Sequence, residues 1–106
     1  MEEKKIKVES LTSATVRVSN AGDASRTYGI SAQARIENGR VNAVTEGMLS
    51  VGDADPMEQT ASFNSWEGSR LSVELPSEWP SERKCEALSA IEAFIADCKA
   101  EAGNLV

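Results

Sequence analysis

The chain has 106 residues, of which 41% are hydrophobic and 26% are charged, and its net charge is −6. This length and composition are typical of one globular domain over residues 1–106, and no apolar run reaches the roughly 18 residues of a membrane span. The acidic balance disfavours non-specific binding of nucleic acid or of an anionic membrane, because such binders carry a basic surface.

The first predicted element is a single strand within residues 4–19, where apolar or small side chains alternate with polar ones. Its length is unusual for a strand, so a bend or bulge is expected near residues 10–13, where Leu11 falls on the opposite face. Asn, Gly, Asp and Ser then predict a loop over residues 20–25.

A central hairpin is predicted around Asn38 and Gly39, because these residues accept the positive φ angles of a two-residue type I′ turn. Regular pairing outward from this turn places Ile36 opposite Val41. The inner face of the following strand would then consist of alternate residues, namely Val41, Ala43, Thr45, Gly47 and Leu49.

A second hairpin is predicted from the strands Met57–Trp66 and Arg70–Leu75, after a break at residues 52–56. Its loop consists of the three residues 67–69. This loop length pairs Phe63 with Val73 and Ala61 with Leu75, which keeps apolar side chains together.

Pro76–Ser81 is expected to stop the sheet and to start a helix over about residues 78–102, which Ser77 caps and Gly103 ends. The apolar stripe of this helix consists of Leu88, Ile91, Phe94, Ile95, Cys98 and Ala102. The predicted fold is therefore α+β, a five-stranded antiparallel meander over residues 4–75 with one long C-terminal helix packed on one face.

Small side chains are expected to form a trough in the middle of the inner face of the first three strands. They are Ser10, Thr12, Ala32, Ala34, Ala43 and Thr45. Such a trough lets the helix approach closely, which is the interpretation that we favour. The alternative is a small-molecule pocket, for which few convergent polar groups are available.

The residues needed for most catalytic chemistry are missing from the sequence. There is no histidine, which removes the commonest general base and the usual zinc ligand. Cys85 and Cys98 lie about 20 Å apart along the predicted helix, too far for a disulfide, and are expected to be reduced and packed. We therefore expect no catalytic residue, no cofactor and no metal site, and a protein that is not an enzyme.

Our first functional hypothesis is a small non-enzymatic protein-binding module of the adaptor or inhibitor type. One form of this hypothesis is self-association through a sheet edge or the outer sheet face. Candidate contacts on the sheet are Trp66, Asn64 and Arg70, since tryptophan and arginine are frequent interface anchors. Candidate contacts on the outer stripe of the helix are four acidic residues that suit a basic partner: Glu82, Glu86, Asp97 and Glu101.

The alternative hypothesis is single-stranded nucleic-acid binding through the outer sheet face. Bases would stack on Trp66, and phosphates would contact Arg17, Arg35 and Arg40. The net charge of −6 places this alternative second. The N-terminus lacks the apolar region of a secretory signal, so a cytoplasmic protein that does not bind membranes is expected.

Overall fold

The computed structural model describes residues 6–12, 15–21, 28–51 and 60–101, excepting the side chains of residues 9–12 and 51. The strands are β1 (Lys7–Thr12), β2 (Thr15–Ser19), β3 (Tyr28–Glu37), β4 (Arg40–Val51), β5 (Thr60–Trp66) and β6 (Arg70–Glu74), followed by the helix α1 (Ser81–Ala100). The strands form one antiparallel sheet in the order β1-β2-β3-β4-β5-β6, and α1 packs against β3, β4 and β5. The predicted α+β meander with one C-terminal helix is confirmed, with six strands rather than five.

The additional strand arises because the predicted first strand is two strands. The chain reverses between Thr12 and Thr15, which pair with each other, and Lys7 pairs with Ser19 at the far end of this hairpin. The bulge that we expected occurs earlier, between Val8 and Ser10. The alternation of apolar and polar residues could not reveal the turn between β1 and β2, because the apolar side chains keep the same two-residue spacing before and after it.

The central hairpin has the predicted turn. Asn38 and Gly39 have φ angles of 55° and 75°, and Ile36 pairs with Val41. Beyond that pair the predicted register is wrong, because β4 contains a bulge at Asn42 and a second irregularity before Met48.

The first bulge exchanges the two faces of β4 over one short segment. Val44, at 1% exposure, is the buried residue there, whereas Ala43 and Thr45 lie on the opposite face. Val44 thus occupies the middle of the predicted trough beside Ala32 and Ala34, which are both fully buried. The trough prediction is wrong for Ala43 and Thr45, and the side chains of residues 10 and 12 lie outside those described.

The second irregularity restores the original alternation. Glu46 adopts a φ of 51°, and the chain then places Gly47 and Leu49 back on the inner face. Gly47 lies under the ring of Phe63, where a Cβ atom would come within 2.4 Å of the ring. Phe63 in turn contacts Phe94 of α1 edge-on, with ring centroids 6.2 Å apart.

The second hairpin follows its prediction from Thr60 onward, while residues 57–59 lie outside the described ranges. Phe63 pairs with Val73, and the loop is residues 67–69. Ser69 N–H donates to the carbonyl of Trp66 at 3.0 Å, and Gly68 has a φ of 73°, as a type II turn requires at its third residue. The last strand ends at Glu74, so the predicted pair of Ala61 with Leu75 lies beyond the ladder.

The helix begins at Ser81, later than predicted, and Ser77 is not its cap. Pro80 is the N-cap residue and makes no side-chain hydrogen bond. A residue before proline disfavours the helical conformation, so Trp79 cannot join the helix. The buried residues of α1 are Ala87, Ile91, Phe94, Ile95 and Cys98. Leu88, at 37% exposure, was wrongly assigned to the buried stripe, and residues 102 and 103 lie outside the described ranges.

Candidate functional site

The outer face of the sheet, meaning the face opposite α1, is the accessible face in the part of the chain that the structure describes. Inward and outward side chains alternate along β3, with Ala32 and Ala34 buried while Gln33 is half-buried and Arg35 exposed. The helix covers only the inner side chains. The outer face can therefore contact a partner without a change in the fold.

One row of directly paired residues crosses five strands of this outer face. It consists of Thr15, Arg35, Ala43, Trp66 and Arg70, one residue each from β2 to β6, and we call it the Trp66 row. Residues directly opposite in a ladder project to the same side of the sheet. The structure thus brings together Trp66 and Arg70 of the predicted site, and it adds Arg35 from the alternative hypothesis.

Ala43 leaves a slot in the middle of the Trp66 row. It lies between Arg35 and Trp66, which are two strand spacings, or about 10 Å, apart. The slot belongs to a groove of about 500 Å³, which we call the outer groove. Its described lining residues are Thr15, Gln33, Arg35, Asn42, Ala43, Thr45, Trp66 and Glu67.

The two large walls of the slot are open to solvent. Trp66 is 41% exposed, and the side chain of Arg35 is 63% exposed. The nearest carboxylate to Arg35 is that of Glu37, at 3.7 Å from Nε, which is a loose ion pair. An exposed indole beside a loosely held guanidinium is an arrangement suited to contact with another molecule.

Asn42 contributes an unsatisfied acceptor to the outer groove. Its Nδ2 donates to Glu37 Oε2 at 2.6 Å, and its main-chain carbonyl accepts from Glu67 N–H at 3.0 Å. Its Oδ1 is buried and has no hydrogen-bond partner among the described residues. Buried acceptors are normally satisfied, so this oxygen is a local exception in the wall of the groove.

Asn64, the third predicted contact on the sheet, has a structural role that its position in the sequence did not indicate. Its Oδ1 accepts from the main-chain N–H of Glu46 at 3.0 Å, which stabilises the irregular segment of β4. The residue pairs with Ser72 on β6 and is half-buried. Its Nδ2 remains available for a contact on the outer face.

An ion pair holds the turn beside Trp66 to the end of α1. Lys99 Nζ lies 2.6 Å from Glu67 Oε2, and this bond and the charge of Lys99 lower the pKa of Glu67. Both side chains are more than 40% exposed, so the pair contributes mainly to the position of the turn.

The helix forms a second concave region, a crevice of about 520 Å³ against the start of β3. Tyr28 OH donates to Glu86 Oε1 at 2.9 Å across it, and burial together with this hydrogen bond raises the pKa of Tyr28. Other described residues lining this crevice are Asn20, Ile30, Cys85, Ser89, Ala90, Ala93, Phe94 and Asp97.

The four acidic residues predicted as contacts on the helix are not equally accessible. Glu82 and Glu86 are exposed, whereas Asp97 and Glu101 are half-buried. Glu86 and Asp97 line the crevice. The stripe therefore borders the crevice at two of its four residues and does not form a uniformly exposed ridge.

The two thiols are free and differ in environment. Cys85 is exposed, contrary to the expectation that it packs, and Cys98 is fully buried. Burial, followed by the charges of Asp97 and Glu101, raises the pKa of Cys98 to about 12, so this thiol stays protonated. Within the described ranges, no group of three or more acidic or thiol side chains is arranged to hold a metal ion.

Comparison of the chain with protein-family models, with curated proteins and with solved structures gives no match. Among the described residues, no helix is long and apolar enough to cross a membrane. The function is therefore inferred from the geometry of the outer groove and of the Trp66 row.

Ala43 is the residue of the outer face that sequence reasoning missed. Regular pairing from the Asn38 turn assigned it to the inner face, and only the bulge at Asn42 turns it outward. The signal that could have found it is the pair Val41 and Val44, whose three-residue spacing breaks strict alternation.

Proposed function

We propose that this protein is a non-enzymatic binding module that docks a protein partner on its outer sheet face, with Trp66 as the anchor. The observation that carries the proposal is the Trp66 row, in which an exposed indole, a small residue and two guanidinium groups share one register across the sheet. Tryptophan and arginine dominate the energetic centres of protein interfaces.

The shape of the slot specifies what it would accept. Its floor is Ala43 and its walls are Arg35 and Trp66, so a flat or branched apolar side chain fits between them. A carboxylate next to that side chain would pair with Arg35 or Arg70. The contact segment of the partner is therefore expected to combine an apolar residue with an acidic one.

Single-stranded nucleic acid is the second candidate, and a specific observation favours it. The three arginines of that hypothesis, Arg17, Arg35 and Arg40, are exposed on the same face as Trp66, and Arg70 joins them, an arrangement in which bases stack and phosphates are neutralised. The two candidates respond differently to salt. Phosphate binding weakens steeply with added salt, whereas docking of an apolar anchor does not.

The chemistry available in the described residues supports a protein that is not an enzyme. The buried thiol of Cys98 remains protonated, and the carboxylate of Glu86 is held by Tyr28. The sequence contains no histidine, the side chain that most often serves as a general base near neutral pH. We also propose a cytoplasmic location, which two unpaired thiols support.

The acidic stripe of the helix is a weaker candidate contact surface for a basic partner. Asp97 and Glu101 are half-buried, and Glu86 already accepts a hydrogen bond. Glu82 is exposed and, unlike Glu86, does not accept the hydrogen bond of Tyr28, so it is the one to mutate first.

The experiment is affinity capture from a lysate of the source cells with three immobilised proteins: wild type, Trp66→Ala and Leu88→Ala. Leu88 is the matched control, because it is a large apolar residue of similar exposure on the helix. Half of each sample receives nuclease.

A protein that is captured by wild type and by Leu88→Ala, lost with Trp66→Ala, and insensitive to nuclease supports docking on the outer face. Capture that disappears with nuclease supports the second candidate. Equal capture by Trp66→Ala and wild type would reject Trp66 as the anchor.

A further inference from the structure

Among the described strands, β6 is an edge of the sheet, and although it is short and carries a charge at each end, it has no proline, bulge or inward-pointing charge. It lies last in the strand order, and its ladder with β5 is regular over five pairs. Edge strands are usually protected by proline, a bulge or an inward-pointing charge. The other edge strand, β1, has such a bulge between Val8 and Ser10, whereas β6 has none of these features.

The inner side of β6 is apolar and only partly covered. Leu71 and Val73 pair with Ser65 and Phe63, which are buried, and so belong to the same face as the helix. Leu71 is nevertheless 39% exposed, and Val73 is partly buried against the core. An additional strand beside β6 would cover the exposed part of Leu71.

The sequence of β6 is complementary to itself in an antiparallel register centred on Ser72. In that register Arg70 lies opposite Glu74 of the second copy, and Leu71 lies opposite Val73 of the second copy. Arg70 and Glu74 both project to the outer face, because their partners on β5 are Trp66 and Ser62. Opposite charges thus meet on one face and apolar side chains meet on the other.

The backbone also permits this register. In an antiparallel ladder, every second residue directs its N–H and C=O groups away from the neighbouring strand. Arg70 and Glu74 belong to one alternating set, and Leu71 and Val73 belong to the other. In each pair between the two copies, the N–H and C=O groups of both residues therefore point toward the other copy, or those of both residues point away from it.

We propose that β6 binds β6 of a second copy of this chain, which joins two six-stranded sheets into one continuous sheet around a two-fold axis at Ser72. Both helices then lie on the same face, and the two Trp66 rows share one outer surface. The pairing uses the strand edge and not the outer groove. Arg70 belongs both to this edge and to the Trp66 row, so variants of Ser72 and Glu74, which lie outside that row, separate the two proposals.

Five residue pairs make a small interface compared with roughly 1,600 Å² for a standard one, so the association is concentration-dependent. Sedimentation velocity over a wide range of protein concentrations measures it. The variants are Arg70→Glu, Glu74→Arg, the double variant with both changes, and Ser72→Lys, with Ser31→Lys on the outer face of β3, three strands away from β6, as the matched control.

Each single charge reversal is expected to weaken the dimer by about tenfold or more, since it places like charges opposite each other twice. The double variant exchanges the charges and is expected to recover wild-type association. Ser72→Lys places two lysines on the two-fold axis and is expected to leave only monomer, while Ser31→Lys, which lies far from β6, is expected to retain the dimer.

Three results would overturn the inference: a wild type that stays monomeric at every concentration, a dimer that Ser72→Lys leaves intact, or a double variant that associates no better than the single ones. Circular dichroism on each variant checks that the fold is intact, so that a change in association is not the result of unfolding. The readout is oligomeric state, so failure here is distinct from failure of partner capture through Trp66.

Discussion

Trp66 lies directly opposite Ala43 in the ladder between β4 and β5, and the methyl group of Ala43 leaves the slot beside the indole open. A larger residue at position 43 would fill this slot from its floor. The bulge at Asn42 turns Ala43 to the outer face, so this local feature of β4 determines the shape of the proposed binding surface.

Ala43→Leu is expected to reduce partner binding by tenfold or more, as estimated from the loss of a central interface contact. The thermal midpoint should remain close to that of wild type, because Ala43 is only half-buried on an open face. Ser62→Leu, at an outer position away from the groove, is the control and should bind normally. Unchanged affinity in Ala43→Leu would show that the slot is not used.

Gly39→Val tests the turn of the central hairpin. Gly39 has a φ of 75°, which a β-branched residue resists, so the free energy of unfolding should fall by about 1–3 kcal/mol. Gly39→Asn is the matched control, since asparagine tolerates this conformation. Urea denaturation of both variants measures the difference, and equal midpoints would contradict the turn assignment.

Gly47→Ala tests the contact between β4 and the ring of Phe63. A Cβ atom at this position would lie 2.4 Å from the ring, which is buried and packed against Phe94. We expect a loss of about 1–3 kcal/mol in the free energy of unfolding, as for overpacking in other cores. Met48→Ala, at a neighbouring residue that is 53% exposed, should change stability by less than about 0.5 kcal/mol.

Stability should decrease at alkaline pH because of Cys98. Its pKa is raised from 9.0 to about 12 in the folded protein, so the folded state keeps a proton that the unfolded state releases. This contribution is complete below pH 9 and is lost as the pH rises toward 12. The raised pKa of Tyr28, caused first by burial, acts in the same direction above pH 10.

Urea midpoints measured from pH 7 to pH 11 check this expectation. Cys98→Ala is less stable at neutral pH because it leaves a small cavity, but its midpoint should decline less steeply above pH 9. Parallel profiles for the variant and wild type would contradict the assigned protonation of Cys98.

The features that could be predicted are those that depend on residues close together in the sequence. The positive φ angles of Asn38 and Gly39 follow from their own chemistry, and the buried alternation of β3 follows from its apolar spacing. The pair of Phe63 with Val73 could be counted from the three-residue loop. The α+β fold class could be predicted for the same reason.

The candidate site was only partly predictable, because its register depends on irregularities. Each bulge in β4 shifts every later pair by one residue, so counting from Asn38 fails beyond Val41. The pairing of Trp66 with Arg70 could be predicted because the two residues flank their own turn. Their alignment with Arg35 depends on the bulge at Asn42, which counting from the Asn38 turn does not include.

The most direct test of the proposed binding face is the fluorescence of Trp66 itself. Trp79→Phe removes the only other tryptophan, and phenylalanine suits that buried position because the indole Nε1 of Trp79 has no hydrogen-bond partner among the described residues. The single remaining indole then reports on the slot.

The captured partner is titrated into this variant while emission and acrylamide quenching are recorded. If the outer face is the contact surface, emission shifts to shorter wavelength and quenching falls, because the indole, 41% exposed in the free protein, leaves water. Saturating partner that changes neither the emission nor the quenching of Trp66 would contradict the account.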